Sequence, residues 1–167
     1  MCFFTATCLN WQNLLQEDRH KQIVMESLQF LTENKRIWLY GFVIMPNHIH
    51  LLWRKQDAWA GKDIQQIFLK YTAQQIKFSL KDGGQSEELK QYESTQADRT
   101  YHFWKRNAYK VSMPNRQVVE QKLDYIHNNP VKAGLCEASD DYAYSSAGYY
   151  ELNEDRWGFI THYAEHI

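Results

Sequence analysis

Cysteine is scarce in this chain, with 3 in 167 residues: Cys2, Cys8 and Cys136. An odd count without CxxC spacing indicates neither a disulfide framework nor a cysteine-based zinc site, so these are read as buried or incidental thiols. Long apolar runs are missing too. No stretch approaches the ~18 to 20 residues a membrane-spanning helix requires, and Met1–Cys8 lacks the basic region and apolar run of an export signal. These absences predict a cytoplasmic protein with no membrane partner. Charge of either sign is not in excess: 19 Lys and Arg stand against 20 Asp and Glu, for a formal net charge of -1. Such a balance argues against a protein that coats nucleic acid indiscriminately. No repeat or low-complexity tract interrupts the chain, and 167 residues at 44% hydrophobic content suit one domain, 1–167, able to bury a core.

The most informative stretch is Trp38 to Arg54, where two runs of aromatic and β-branched residues flank Pro46-Asn47. Punctuation of this kind between strand-like runs predicts a hairpin. Side chains alternate faces along a strand, so His48 and His50 share one face with α-carbons roughly 6.5 to 7 Å apart. One metal ion can sit between two imidazoles so placed. Ile49, Leu51 and Trp53 then face the other way, toward an apolar layer. A lone strand histidine is more often a half-buried hydrogen-bonded residue than a ligand; the pair on one face keeps both readings open.

Around the hairpin, Cys2–Leu9 reads as a first strand. From about Glu17 to Asn34, Ile23, Val24, Leu28 and Leu31 make one helical stripe. A second helix is predicted from Asp63 to Leu80, with Asp63 as N-cap and Ile64, Ile67, Phe68, Tyr71, Ile76 and Leu80 on its apolar side. Lys81 to Thr100 turns polar and reads as a mobile loop, and Tyr101–Trp104 as a short strand. Strand, helix, strand, strand, helix, strand is the ferredoxin-like α+β plan, an antiparallel sheet with both helices on one face. That leaves the other face, with His48 and His50, available for chemistry.

A third helix begins near Pro114 or Asn115 and runs to about Asn129, where Pro130 stops it. Val119, Leu123 and Ile126 form its buried stripe, while Tyr125 and Asn129, spaced i, i+4, share a flank. The pair is either a hydroxyl nucleophile and an amide oxygen facing one ion or a packing tyrosine and a pre-proline cap. Between Trp104 and Gly134 the chain is locally basic, with Lys105, Arg106, Lys110, Arg116, Lys122 and Lys132 against Glu120 and Asp124. A phosphate-binding surface and a solvated helix face both fit that run. The tail, from about 136 to 167, carries enough aromatic residues to pack back onto the body.

Four blocks in this order resemble the single-tyrosine HUH transposases, and among them the REP-associated tyrosine transposases and their insertion-sequence relatives. They are Gly41-Phe42-Val43-Ile44-Met45-Pro46-Asn47-His48-Ile49-His50-Leu51-Leu52, then Phe103-Trp104-Lys105-Arg106. Tyr125-Ile126-His127-Asn128-Asn129-Pro130-Val131-Lys132-Ala133-Gly134-Leu135 follows, and then Tyr142-Ala143-Tyr144-Ser145-Ser146-Ala147. The resemblance implies a single HUH domain in which His48, His50 and Asn129, the last where relatives often carry glutamine, hold a divalent metal, Mg or Mn. It implies that Tyr125 cuts single-stranded DNA at hairpin-flanked sites through a 5′-phosphotyrosine link. Lys105, Arg106, Lys110, His102, His127 and Lys132 are candidate DNA contacts. Relatives work as monomers or as homodimers that exchange the tyrosine helix. A domesticated hairpin-binding module that mobilises nothing has the same sequence features. The histidine-triad nucleotide hydrolases share His-Ile-His-Leu-Leu, but their third histidine position is Leu52 here, which breaks that arrangement.

Overall fold

In the computed structural model, which describes residues 1–94 and 100–167, strands β1 (Cys2–Thr7), β2 (Ile37–Ile44), β3 (His48–Lys55) and β4 (Tyr109–Ser112) form one sheet. Its order is β2-β3-β1-β4 and every pairing is antiparallel. With α1 (Asp18–Glu33) between β1 and β2, and α2 (Ile64–Asp82) between β3 and β4, this is the ferredoxin-like arrangement that the alternation of signals predicts.

Both helices lie on the face presented by Phe4, Ala6, Ile49, Leu51 and Trp53. From α1 come Val24, Met25, Leu28 and Leu31; from α2 come Ile64, Phe68, Thr72, Ile76 and Leu80. That second set recurs every four residues, the spacing of one helical row. Asp63 caps α2 by accepting from the Gln66 amide at 3.1 Å. Ile67 and Tyr71, expected in the stripe, are instead exposed. Thr72 takes the buried place because its hydroxyl is satisfied twice, donating to the Phe68 carbonyl at 2.9 Å and accepting from Trp104 Nε1 at 3.2 Å.

The opposite face is not left open. A second layer, α4 (Arg116–His127), lays Val119, Leu123 and Ile126 against Phe3, Tyr40, Val43 and Leu52. A bulge in β2 between Leu39 and Gly41 keeps Phe42 and Ile44 in phase with the first core. Gly41 lets α4 come close: a β-carbon there would stand 2.5 Å from Leu123 Cδ2. The chain after α4 runs along the outer edge of β2. Its backbone donates from Ser146 to Phe42 and from Thr161 to Leu39. Tyr142 and Tyr150 hydroxyls reach the Ile44 and Tyr40 carbonyls at 2.8 and 2.6 Å. An edge otherwise free to pair with another chain is thereby covered, which gives the Tyr-Ala-Tyr-Ser-Ser stretch a structural reason.

Three boundaries differ from expectation. The fourth strand is Tyr109–Ser112, whereas Tyr101 and Trp104 make only isolated bridges, to Glu93 and Cys8. As an edge strand β4 is mostly exposed and carries little apolar alternation to betray it. The polar stretch after α2 is partly ordered, with a short helix α3 (Ser86–Lys90) and Leu89 and Tyr92 buried; two anchors suffice to hold it, and 95–99 lie outside the described residues. Finally, α4 ends at His127, and Pro130 falls in the first turn of a separate short helix, α5 (Asn129–Lys132). Its missing N–H has no partner to lose at that position.

Candidate active site

His48 and His50 project from β3 toward the α4 side, their ring centroids 4.7 Å apart. Each has its Nδ1 occupied. Asn47 Oδ1 lies 2.7 Å from His48 Nδ1, and an amide oxygen only accepts, which puts the proton on Nδ1 and leaves the lone pair on Nε2. Thr5 Oγ1 lies 2.7 Å from His50 Nδ1, because β1 pairs Thr5 with His50 across the ladder. His50 is 5% exposed, and its Nε2 is buried without a hydrogen-bond partner. A buried ring nitrogen in that condition is costly unless something absent from the protein itself binds it.

Electrostatics keep the pair neutral. Burial first, then the charges of His48 and Lys122, push His50 from its ordinary value near 6.5 down to about 3. Burial also lowers His48, against a smaller opposing hydrogen-bond effect of the Asn129 amide. Neutral imidazole is the form that ligates metal.

Tyr125 comes from α4 onto this pair. Its ring centroid lies 5.1 Å from His50 and 6.1 Å from Phe3, edge-on to both, yet 41% of the residue is exposed. The hydroxyl-bearing side chain is held by packing while solvent still reaches it. Two ammonium groups flank the ring, Lys122 Nζ at 5.4 Å and Lys132 Nζ at 6.0 Å from its centroid. Tyrosine and histidines belong to one chain, so no exchange of helices between copies is needed to bring them together.

A chain of Haemophilus influenzae named "Putative REP-associated tyrosine transposase" is 31% identical over 151 residues, which cover 86% of this chain and 81% of the relative. This chain belongs to the REP-associated tyrosine transposase family. No family model matches it. The fold agrees with a solved structure of a REP-associated tyrosine transposase bound to a REP hairpin, at a TM-score of 0.64 and 17% identity, over 96% of this chain and 81% of the other.

Membership in the REP-associated tyrosine transposases implies a metal. Among the described residues no three His, Cys, Asp or Glu side chains gather into a metal-binding group. The available donor set is two imidazoles and one amide, and the unpartnered His50 Nε2 fits an ion there. The sequence-derived DNA contacts are sorted by the fold. Lys132 stands beside Tyr125. Lys105, Arg106 and His102 line a groove of about 740 Å³ with Lys70 and Lys77 of α2, on the other side of the sheet. Lys110 pairs with Phe4 on β1 and so shares that side. His127 is no surface contact at all: it is 5% exposed, and its Nε2 lies 2.9 Å from Ser146 Oγ, joining α4 to the tail. No helix is long and apolar enough to cross a membrane among the described residues.

Thr5 and Trp11 carry no site signal in the sequence, and Lys122 stands there only as one member of the basic run. Lys122 was detectable as the residue one helical turn before Tyr125. Thr5 had no local signal, because its role depends on strand register. Trp11 follows β1 in a short turn and sets its indole 6.1 Å from the His48 ring.

Proposed function

We propose that this REP-associated tyrosine transposase is a metal-dependent single-stranded DNA endonuclease and strand transferase acting beside hairpins. The observation that carries the reading is the juxtaposition of the accessible Tyr125 with His50, whose buried Nε2 lacks a partner. The related structure bound to a REP hairpin supports hairpin DNA as the partner.

In this reading His48, His50 and Asn129 hold a divalent ion, Mg or Mn, which when bound neutralises charge on the scissile phosphate. Tyr125 supplies the nucleophile. Its phenolic oxygen bonds to phosphorus, the bond from phosphorus to the 3′ oxygen breaks, and the phenolic proton is lost to solvent as the leaving oxygen takes one up. The 5′ phosphate remains on Tyr125, so the bond energy is kept and a 3′ hydroxyl can reverse the step. Thr5 and Asn47 orient the imidazoles, as groups bonded to the second nitrogen of ligand histidines do. Lys122 and Lys132 draw the phosphate toward the tyrosine, a service worth more in a partly dry site than in water.

The test is incubation of the protein with Mn²⁺ and an oligonucleotide bearing a palindromic hairpin from the DNA flanking its own gene, followed by a denaturing gel. A protein–DNA adduct on 5′ ends is expected from the native chain and none from Tyr125→Phe, which loses one exposed hydroxyl and keeps its packing. An adduct that persists in Tyr125→Phe would assign the chemistry elsewhere. Hairpin binding without any adduct would instead make the chain a binding module.

A further inference from the structure

We propose that Trp11 is the stacking platform for the base of the nucleotide that departs with the 3′ oxygen, so that the cut end is retained for rejoining. The proposal rests on Tyr125 as the nucleophile.

Trp11 is 58% exposed, which alone says little, since single surface hydrophobics are ordinary. Its backbone says more. Asn10 and Trp11 both adopt positive φ, 54° and 58°. Asparagine visits that region readily, but a bulky side chain rarely does. Strain of this kind persists only where the surroundings fix it, and it collects at functional sites.

Here the surroundings do fix it. The Trp11 amide donates to the Cys8 carbonyl at 3.0 Å, the Leu9 amide to Phe103 at 2.7 Å and the Cys8 amide to Asn47 at 2.8 Å. Leu15 donates to Pro46 at 2.8 Å. The turn is therefore tied to the Pro46-Asn47 corner that precedes His48. A held backbone thus presents an apolar ring to solvent at the rim of the site, where it makes one edge contact, to His48.

Its position selects the nucleotide. β1 runs antiparallel to β3, pairing Thr7 with His48, Thr5 with His50 and Phe3 with Leu52. Trp11, beyond the end of β1, lies past His48. Tyr125 contacts His50 and Phe3, toward the opposite end of the same row. In phosphoryl transfer the attacking and leaving oxygens stand roughly in line across phosphorus. With Tyr125 on one side, the leaving 3′ oxygen and its nucleotide are on the side of Trp11. Every base has a π-face, so an indole there grips the end whatever its sequence.

The experiment uses Tyr125→Phe protein with Mn²⁺, and the hairpin oligonucleotide carrying the fluorescent base 2-aminopurine, placed in turn on each side of the nick mapped with native protein. Emission should be quenched at the nucleotide on the 5′ side of the nick. Adding Trp11→Gly should restore it and weaken binding by roughly ten-fold, the size of one lost base stack; Trp11→Phe should retain part of both. Glycine accepts positive φ without strain, so Trp11→Gly keeps the turn. In otherwise native protein, Trp11→Gly should slow rejoining more than nicking. Quenching at that nucleotide unchanged by Trp11→Gly, or relieved only on the 3′ side of the nick, overturns the proposal. An adduct formed by Tyr125→Phe overturns the nucleophile instead, and is read on a gel rather than by fluorescence.

Discussion

Thr5 Oγ1 lies 2.7 Å from His50 Nδ1, and the two residues face each other across the β1–β3 ladder. As acceptor of a hydrogen bond from Nδ1–H, the hydroxyl holds the tautomer whose Nε2 lone pair is free to ligate. Thr5→Val keeps the branched shape and removes that acceptor. Manganese affinity, measured by titration calorimetry, should fall roughly ten- to a hundred-fold, the usual effect of losing such a partner. Unchanged affinity would show that packing against Phe3 alone, stacked 5.3 Å from His50, orients the ring.

Metal addition and removal should register in stability. A ligand that binds only the folded state stabilises it by about 2.7 kcal/mol at a hundred times its dissociation constant. Mn²⁺ should raise the melting temperature of the native chain, and a chelator should return it. His50→Ala should melt at one temperature with or without the ion. An equal Mn²⁺ shift in that variant would place the ion away from the histidine pair.

The two basic groups can be told apart by salt. Lys122 and Lys132 flank Tyr125, whereas Lys105 and Arg106 line the groove beside α2. Each phosphate contact to a single strand contributes about 0.7 to the slope of log affinity against log salt. Replacing Lys122 and Lys132 together by methionine should flatten the slope for the single-stranded segment by about 1.4. The Lys105→Ala, Arg106→Ala pair should leave that segment's slope unchanged. The reverse result would move the strand path to the α2 groove.

Burial pushes the His127 imidazole down to about 4 from an ordinary value near 6.5. Between these values the unfolded chain holds a proton that the folded chain refuses, so stability rises with pH across the window. The contribution is fully present above about 6.5 and drains away as pH falls to about 4, at up to roughly 1.4 kcal/mol per unit. His127→Gln, which never titrates, should show a shallower loss of melting temperature between pH 7 and 5. Some slope should remain, since burial also lowers His20 and His48. Identical slopes would mean that His127 contributes nothing to the acid sensitivity.

Much of this molecule is written in short-range periodicity. The hairpin around Pro46-Asn47, the shared face of His48 and His50, α1, and α2 with its Asp63 cap all follow from spacings within one element, where the backbone geometry forces side chains onto known faces. The ordering of those elements gives the sheet, and the stripe Val119, Leu123, Ile126 marks the inner side of α4. What escaped lies where burial comes from a distant element. Thr72 outranks Ile67 and Tyr71 in the core because Trp104, 32 positions on, satisfies its hydroxyl. His127 reads as a surface histidine until Ser146 closes over it. Leu89 and Tyr92 anchor a stretch whose composition is otherwise that of a loop.

The sequence by itself determined which side chains are the candidates for the chemistry and which local faces they occupy, because alternation in strands and the 3.6-residue turn are properties of the backbone. Only the tertiary structure decided that Tyr125 rests on His50 within one chain, that Thr5 orients that histidine, and that Trp11 stands at the rim. Those relationships depend on strand register and on how closely α4 approaches at Gly41, and neither is encoded within any single element.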